Sequence, residues 1–246
     1  MKSYWILMRK WILGNLILAS LWACKDTPQE VELFSIMVDV TDPHIAKPEA
    51  SELLSLMDIS TNPKQIHLRY ASLSDVDYNK VQSLYYKPHG KGLLGNAVKA
   101  KRKRVRFERE LASLLESEDS VVMADYSAIF EPIIRELYFL SSQKGTRKKR
   151  LFVFSNLMEN SGLANFYKTK DYLLLMQNQK PLIKRFLAVV PDFKTRDVSL
   201  QVVYIPHNQK DNIQFKAVEK LYTELFGSLG IPIAFTANIY KAYPEQ

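Results

Sequence analysis

Residues 31 to 43, "VELFSIMVDVTDP", carry the strongest indication of the fold. The stretch begins as a nearly continuous apolar run, which is typical of a strand buried on both faces of a parallel sheet. It then places Asp39, Thr41 and Asp42 in quick succession before Pro43. Two explanations of these polar residues are open: they cap the next helix and satisfy loop amides, or they bind a cation.

Strand-like and helix-like stretches alternate along the rest of the chain. This pattern predicts an α/β fold with a doubly wound, mostly parallel sheet and one antiparallel edge strand from a hairpin. The first strand is expected at the point where strand order reverses, beside which ligands bind in such sheets. The predicted strands are 31–40, 66–73, 81–87, 150–156, 200–206 and 231–239; the predicted helices are 47–58, 105–117, 127–142 and 213–229, with 163–190 mostly helical.

Three segments together resemble a von Willebrand factor type A (vWA) domain, over roughly residues 31 to 240. They are "SIMVDVTDP", the hairpin "LRYASLSDVDYNKVQSLYY" and "FVFSNLMENS". The resemblance implies a three-layer α/β sandwich that binds protein partners. It also implies a metal-ion-dependent adhesion site, in which hydroxyl and carboxylate oxygens hold Mg²⁺ or Mn²⁺ and a partner's carboxylate completes the coordination.

The residues of this chain match that adhesion site only in part, so the resemblance implies a degenerate site. Asp39 and Thr41 fit its first aspartate and first hydroxyl. Pro43 stands where a second hydroxyl is expected. Ser127 is the candidate for the hydroxyl from the middle loop, with Asp125 as an alternative, and Asn156 replaces an aspartate.

Two interpretations of the degenerate site remain open. In the first, Asp39 and Thr41 hold a divalent cation weakly, with Asp42, Asp125 or Glu159 compensating for the lost carboxylate. In the second, Thr41 or Asp42 caps the following helix and Asp39 accepts hydrogen bonds from loop amides. We expect binding of Mg²⁺ or Mn²⁺ to be weak or absent.

The N-terminus has the pattern of an export signal. Arg9 and Lys10 precede the apolar run 11–23, which is too short to span a bilayer. It ends in "LWAC", which resembles the lipobox of bacterial lipoproteins, and "CKD" resembles the export signal of Bacteroidetes lipoproteins. The prediction is a signal peptide at 1–23 that starts at Met1 or Met8, a lipidated Cys24, a tether at 24–30 and a vWA-like domain at 31–246. A lone cysteine can also be a small buried residue.

Basic residues concentrate in two segments, 99–110 and 144–150, and the whole chain carries a formal charge of +8. Such segments either bind a polyanion or form solvated surface. An exported protein meets little nucleic acid, so anionic lipid headgroups, polysaccharide or an acidic protein are the expected partners. The candidate residues are Lys101, Arg102, Lys103, Arg104 and Arg106.

The sequence contains no motif that indicates an enzyme. The four histidines lack metal-ligand spacing, and there is no nucleophile elbow, P-loop or cysteine pair. The expected function is that of a lipid-anchored binding or adhesion module of the bacterial cell envelope, which binds a protein partner through its vWA-like domain and is expected at the outer membrane. The alternative is an accessory component of a DNA-transfer or envelope transport system that acts through its basic face.

Overall fold

Six strands form one sheet in the order β3-β2-β1-β4-β5-β6. In this computed structural model the described residues are 31–59, 64–74, 80–88, 97–117, 126–192 and 197–239. All neighbouring strands pair in parallel except β2 and β3, which form the antiparallel pair at one edge. The strands are β1 (Val31–Asp39), β2 (Gln65–Leu73), β3 (Val81–Tyr86), β4 (Thr146–Phe154), β5 (Val198–Val203) and β6 (Ile233–Thr236).

Helices cover both faces of the sheet. They are α1 (Ala50–Met57), α2 (Ala97–Ser117), α3 (Phe130–Ser142), α4 (Thr169–Gln177), α5 (Lys180–Leu187) and α6 (Gln209–Ser228). Alternate residues of β1 face opposite layers: Phe34 and Ile36 pack with α1 and α2, whereas Leu33 and Met37 pack with α3 to α6. The predicted α/β three-layer sandwich is therefore confirmed, including β1 at the reversal of strand order.

All four helices whose bounds were predicted begin at other residues; α3 begins at Phe130 and not at residue 127, and α6 begins at Gln209 and not at residue 213. α1 begins at Ala50, because Glu49 and Glu52 form a capping box there, so Pro48 lies before the helix. α2 begins at Ala97 and not at residue 105. The basic residues that the sequence placed before this helix therefore lie within it.

A partly buried ion pair fixes α3 to the sheet. Arg69 of β2 donates two hydrogen bonds to Glu136 of α3, at 2.7 and 2.9 Å, and its guanidinium lies 3.7 Å from the centre of the Phe139 ring. Ser35 of β1 donates a third bond to Glu136, at 2.8 Å. Bidentate, charge-assisted bonds of this kind are specific in direction, so they fix how α3 lies on β1 and β2.

The predicted signal peptide (1–23), Cys24 and the tether (24–30) lie outside the described residues, as do Asp125 and the last residues of the predicted domain, 240–246. Among the helices that the structure does describe, none combines the length and the apolar character needed to cross a membrane.

Candidate functional site

Polar side chains from three segments meet at the carboxyl edge of the sheet, where strand order reverses between β1 and β4. Asp39 is the last residue of β1, and Asn156 lies two residues after β4. Ser127 lies in the loop that leads into α3. The structure therefore brings the sequence-predicted residues Asp39, Thr41, Ser127 and Asn156 to the same edge.

Asp39 is the buried centre of this group. Its Oδ1 accepts hydrogen bonds from the Thr41 amide at 3.0 Å and from the Thr41 hydroxyl at 2.6 Å. Its Oδ2 accepts a bond of 2.8 Å from the hydroxyl of Ser155. Burial raises the pKa of the Asp39 carboxyl, and the hydrogen bonds from Thr41 and Ser155 oppose that rise. Both carboxyl oxygens are thus engaged within the protein.

The hydroxyls of Thr41 and Ser127 lie 3.0 Å apart, which joins β1 to the loop before α3. Ser127 is held in place by its backbone. Its amide donates to the carbonyl of Asn160 at 2.8 Å, and the Asn160 amide donates back at 2.9 Å. The two predicted hydroxyl ligands are therefore neighbours, on backbone segments that are themselves fixed.

Asn156 and Asp42 form the second polar pair of the edge. The Asn156 amide nitrogen donates to Oδ2 of Asp42 at 3.0 Å, and its Oδ1 accepts from the Met158 amide at 2.9 Å. Asp42 also accepts from the His44 amide at 2.9 Å. Asp42 therefore stabilises a turn. The prediction that Thr41 or Asp42 caps the next helix is wrong, because Glu49 caps it.

Glu159 is a buried carboxylate that binds the backbone next to the site. It is fully buried, and its Oε2 accepts hydrogen bonds from the amides of Ile129 and Phe130, at 3.2 and 2.9 Å, where α3 begins. Burial is the main cause that raises the pKa of this carboxyl to about 7. Its Oε1 and the hydroxyl of Tyr222 are both buried without a well-formed hydrogen bond among the described residues. Glu159 thus positions the Ser127 loop.

Exposed side chains surround these polar groups. Tyr167 is 62% exposed, and burial around its hydroxyl together with the charges of Asp39 and Asp42 raises its pKa to about 12. Ile205, two residues after the end of β5, is 53% exposed. Tyr204 is buried, and its hydroxyl donates to Asp211 at 2.7 Å; burial and this bond raise its pKa. Tyr167 and Ile205 therefore form an exposed rim of aromatic and apolar surface.

The residues present do not fit a tightly held divalent cation. Magnesium needs near-octahedral oxygen ligands and is usually bound through one or two carboxylates. Here Asp39 has both oxygens in hydrogen bonds, Pro43 offers no side-chain oxygen, and Asn156 turns its amide nitrogen toward Asp42. Within the described part of the chain, no three His, Cys, Asp or Glu side chains are grouped to hold a metal.

Two members of the site were not predicted from the sequence. Ser155 donates to Asp39 and also accepts from the Leu157 amide at 2.9 Å, so it links β1 to the turn after β4. In the sequence, the only indication that Ser155 belongs to the site is that it directly precedes Asn156. Tyr167 lies 11 residues beyond Asn156 in a loop without a motif, and no sequence pattern indicated that it would reach this edge.

No protein-family model matches the chain, and no curated protein matches it. Among solved structures, the chain is similar to the human COPII-coat protein Sec24c, with a TM-score of 0.42 and 15% sequence identity. That match covers 88% of this chain and 31% of the Sec24c chain. A likeness at this level carries no information about function.

Proposed function

We propose that this protein is a lipid-anchored binding module of the bacterial cell envelope that docks a protein partner at the carboxyl edge of its sheet. The observation that carries the proposal is the convergence of Asp39, Thr41, Ser127 and Asn156 at that edge, beside an exposed rim. In α/β sheets of this kind, ligands bind outside the carboxyl ends of the strands where strand order reverses.

The proposed family is that of vWA domains with a degenerate adhesion site. Its support is positional: the aspartate and hydroxyl follow β1, the second hydroxyl precedes α3, and Asn156 follows β4. Hydrogen bonds hold these groups together. Thr41 and Asp42 are the least buried polar residues of the edge, and their side-chain oxygens can accept further hydrogen bonds from a partner. We therefore propose docking that does not depend on Mg²⁺ or Mn²⁺.

The proposed anchor is the lipid on Cys24, and it rests on the sequence pattern at the end of the apolar run. Such an anchor would hold the domain at the membrane surface, at the outer membrane in a Gram-negative cell. No catalytic role is proposed, because the polar groups of the edge are engaged with one another and none is paired as nucleophile and base.

Site-specific photo-crosslinking in intact cells tests the docking surface. A photoreactive residue is placed at Tyr167 or at Ile205 on the rim, and at Tyr85 as the control. Tyr85 is 67% exposed but pairs with His67 near the opposite, amino edge of the sheet. We expect the same protein adduct from Tyr167 and Ile205 and none from Tyr85.

A second variant shows whether the polar group takes part. Asp42→Arg removes the bond from Asn156 and reverses a charge at the centre of the rim, and it should abolish the adduct while the protein remains folded by circular dichroism. An adduct of equal yield from Tyr85, or one that survives Asp42→Arg unchanged, would show that docking occurs elsewhere.

A further inference from the structure

The N-terminal half of α2 is strongly basic and does not pack on the hydrophobic core. Its residues from Ala97 to Arg106 carry cationic side chains at positions 99, 101, 102, 103, 104 and 106 and no acidic one. None of these ten positions is buried, and the first buried residue of the helix is Phe107. The first turn also lacks the acidic residues that would favour a helix start.

Ion pairs within the helix leave part of this charge unpaired. Arg104 and Arg106 pair with Glu108 and Glu110, four residues further on, at 3.4 and 2.7 Å. For Lys101, Arg102 and Lys103, the described residues supply no acidic partner. These three side chains are exposed, and cations clustered at the positive end of a helix dipole disfavour the isolated helix. An anionic surface would relieve that repulsion.

The packing of α2 shows where the basic half lies. The Phe107 ring contacts the Tyr86 ring, with centroids 5.5 Å apart, and Tyr86 pairs with Ile66 near the start of β2. Further along the helix, Leu115 lines a cavity together with Tyr70, four residues up the same strand. The helix therefore runs along β2 toward the carboxyl edge. Its first ten residues extend roughly 15 Å beyond Phe107, past the amino edge of the sheet.

The chain that would carry the lipid reaches the domain at this same edge. β1 begins at Val31, which pairs with Gln65 of β2 and Thr146 of β4, the first residues of those strands. Six residues separate Cys24 from Val31, and an extended chain spans at most about 25 Å between these two residues. A lipid on Cys24 would thus bring the amino edge, and the basic half of α2, close to the headgroups.

We infer that the N-terminal half of α2 binds anionic lipid headgroups beside the anchor, through Lys101, Arg102 and Lys103. This inference rests on the proposed lipidation of Cys24 but not on the proposed docking site. A basic segment next to a lipid anchor adds to its attachment, and each Lys or Arg near an anionic surface strengthens binding. The domain would then lie with its amino edge on the membrane and its carboxyl edge directed away from it.

Vesicle binding by the full-length protein tests this inference. The readout is the ratio of affinity for vesicles containing phosphatidylglycerol to affinity for pure phosphatidylcholine vesicles, which cancels any contribution of the apolar N-terminus. Reversal of Lys101, Arg102 and Lys103 to Glu should lower that ratio on the order of a hundredfold. The wild-type preference should also fade as salt rises.

The matched control reverses Lys210, Lys216 and Lys220, three exposed lysines of α6, to Glu. It makes the same change in net charge and should alter the ratio far less. Glutamine at positions 101, 102 and 103 gives a milder variant, expected to lose part of the preference. Circular dichroism verifies that each variant is folded.

Two outcomes would overturn the inference. One is an equal loss of preference in the α6 control, which would indicate a net-charge effect. The other is no preference for anionic vesicles together with Lys101-dependent binding to heparin or DNA, which would assign the surface to a soluble polyanion. The two proposals can fail separately. A variant at positions 101, 102 and 103 that loses the preference for anionic vesicles should still form the Tyr167 adduct, because the adduct tests the docking site and not α2.

Discussion

The side-chain amide nitrogen of Asn156 donates a hydrogen bond of 3.0 Å to Oδ2 of Asp42. The oxygen of the same amide accepts a hydrogen bond of 2.9 Å from the Met158 amide, and the two bonds together fix the orientation of the side chain. An aspartate at this position could not donate that bond, and its charge would repel Asp42. The amide therefore joins the turn after β1 to the turn after β4 by a direct hydrogen bond.

The first prediction concerns Ser155, which joins two buried groups. Ser155→Ala removes a donor to Asp39 and an acceptor for the Leu157 amide. Leaving such buried groups unsatisfied costs about 1–3 kcal/mol each. We expect urea denaturation to show a loss of roughly that size in the free energy of unfolding. Ser113→Ala, at an exposed position of α2, should change it by less than about 0.5 kcal/mol.

A second prediction concerns the pH dependence of stability. Because burial raises the pKa of Glu159 from 4.5 to about 7, the folded state holds this proton more tightly than the unfolded state does. Its contribution to stability is therefore complete below about pH 4.5 and is lost as pH rises through 7. The linkage amounts to about 3 kcal/mol.

Glu159→Gln tests this assignment, since glutamine still accepts from the amides of Ile129 and Phe130 but does not ionise. Denaturant titrations between pH 5 and pH 8 measure this effect. The free energy of unfolding should fall with rising pH much less in the variant than in the wild type. The variant should also be more stable than the wild type at pH 8. An identical pH profile in the two proteins would mean that Glu159 does not titrate in this range.

The third prediction concerns the anchor. Cys24→Ala should abolish metabolic labelling with a fatty acid and leave a longer, unprocessed precursor in the membrane fraction. Labelling that persists in this variant, or a mature N-terminus at another residue, would contradict lipidation. Cys24 is the only cysteine in the chain, so thiol-linked lipid has no other attachment point within it.

The fold was accessible from the sequence because strand ends can be read from apolar runs. Once "FSIMVDV" and "RLFVFSN" are parallel neighbours, the residues after them must lie at one edge. The start of α2 was missed for a physical reason. Residues 97–104 have no buried face and hence no apolar periodicity, although Ala, Lys and Arg favour helix intrinsically.

The orientation of side chains at the edge could not be predicted. Sequence spacing places Asn156 near Asp42, but it does not tell which end of the amide faces the carboxylate. In the structure the Met158 amide donates to the Asn156 oxygen, and the Asn156 amide nitrogen donates to Asp42. Tyr167 arrives from a loop, and loops carry no periodic signal that would indicate their path.

Thermal melts with chelator, Mg²⁺ and Mn²⁺ test most directly whether hydrogen bonds, and not a cation, hold the site together. The comparison is between the wild type and Asn156→Asp, which replaces the bond to Asp42 by two adjacent carboxylates. A cation bound with a Kd of ~1 mM would add about 1.4 kcal/mol at 10 mM. That corresponds to a rise of roughly 3–6 °C in Tm.

We predict that 10 mM Mg²⁺ or Mn²⁺ shifts the wild-type Tm by less than about 1 °C, whereas Asn156→Asp melts lower in chelator and regains several degrees when either cation is added. A wild-type rise of several degrees that Asp39→Ala abolishes would contradict this account and restore a metal-dependent site.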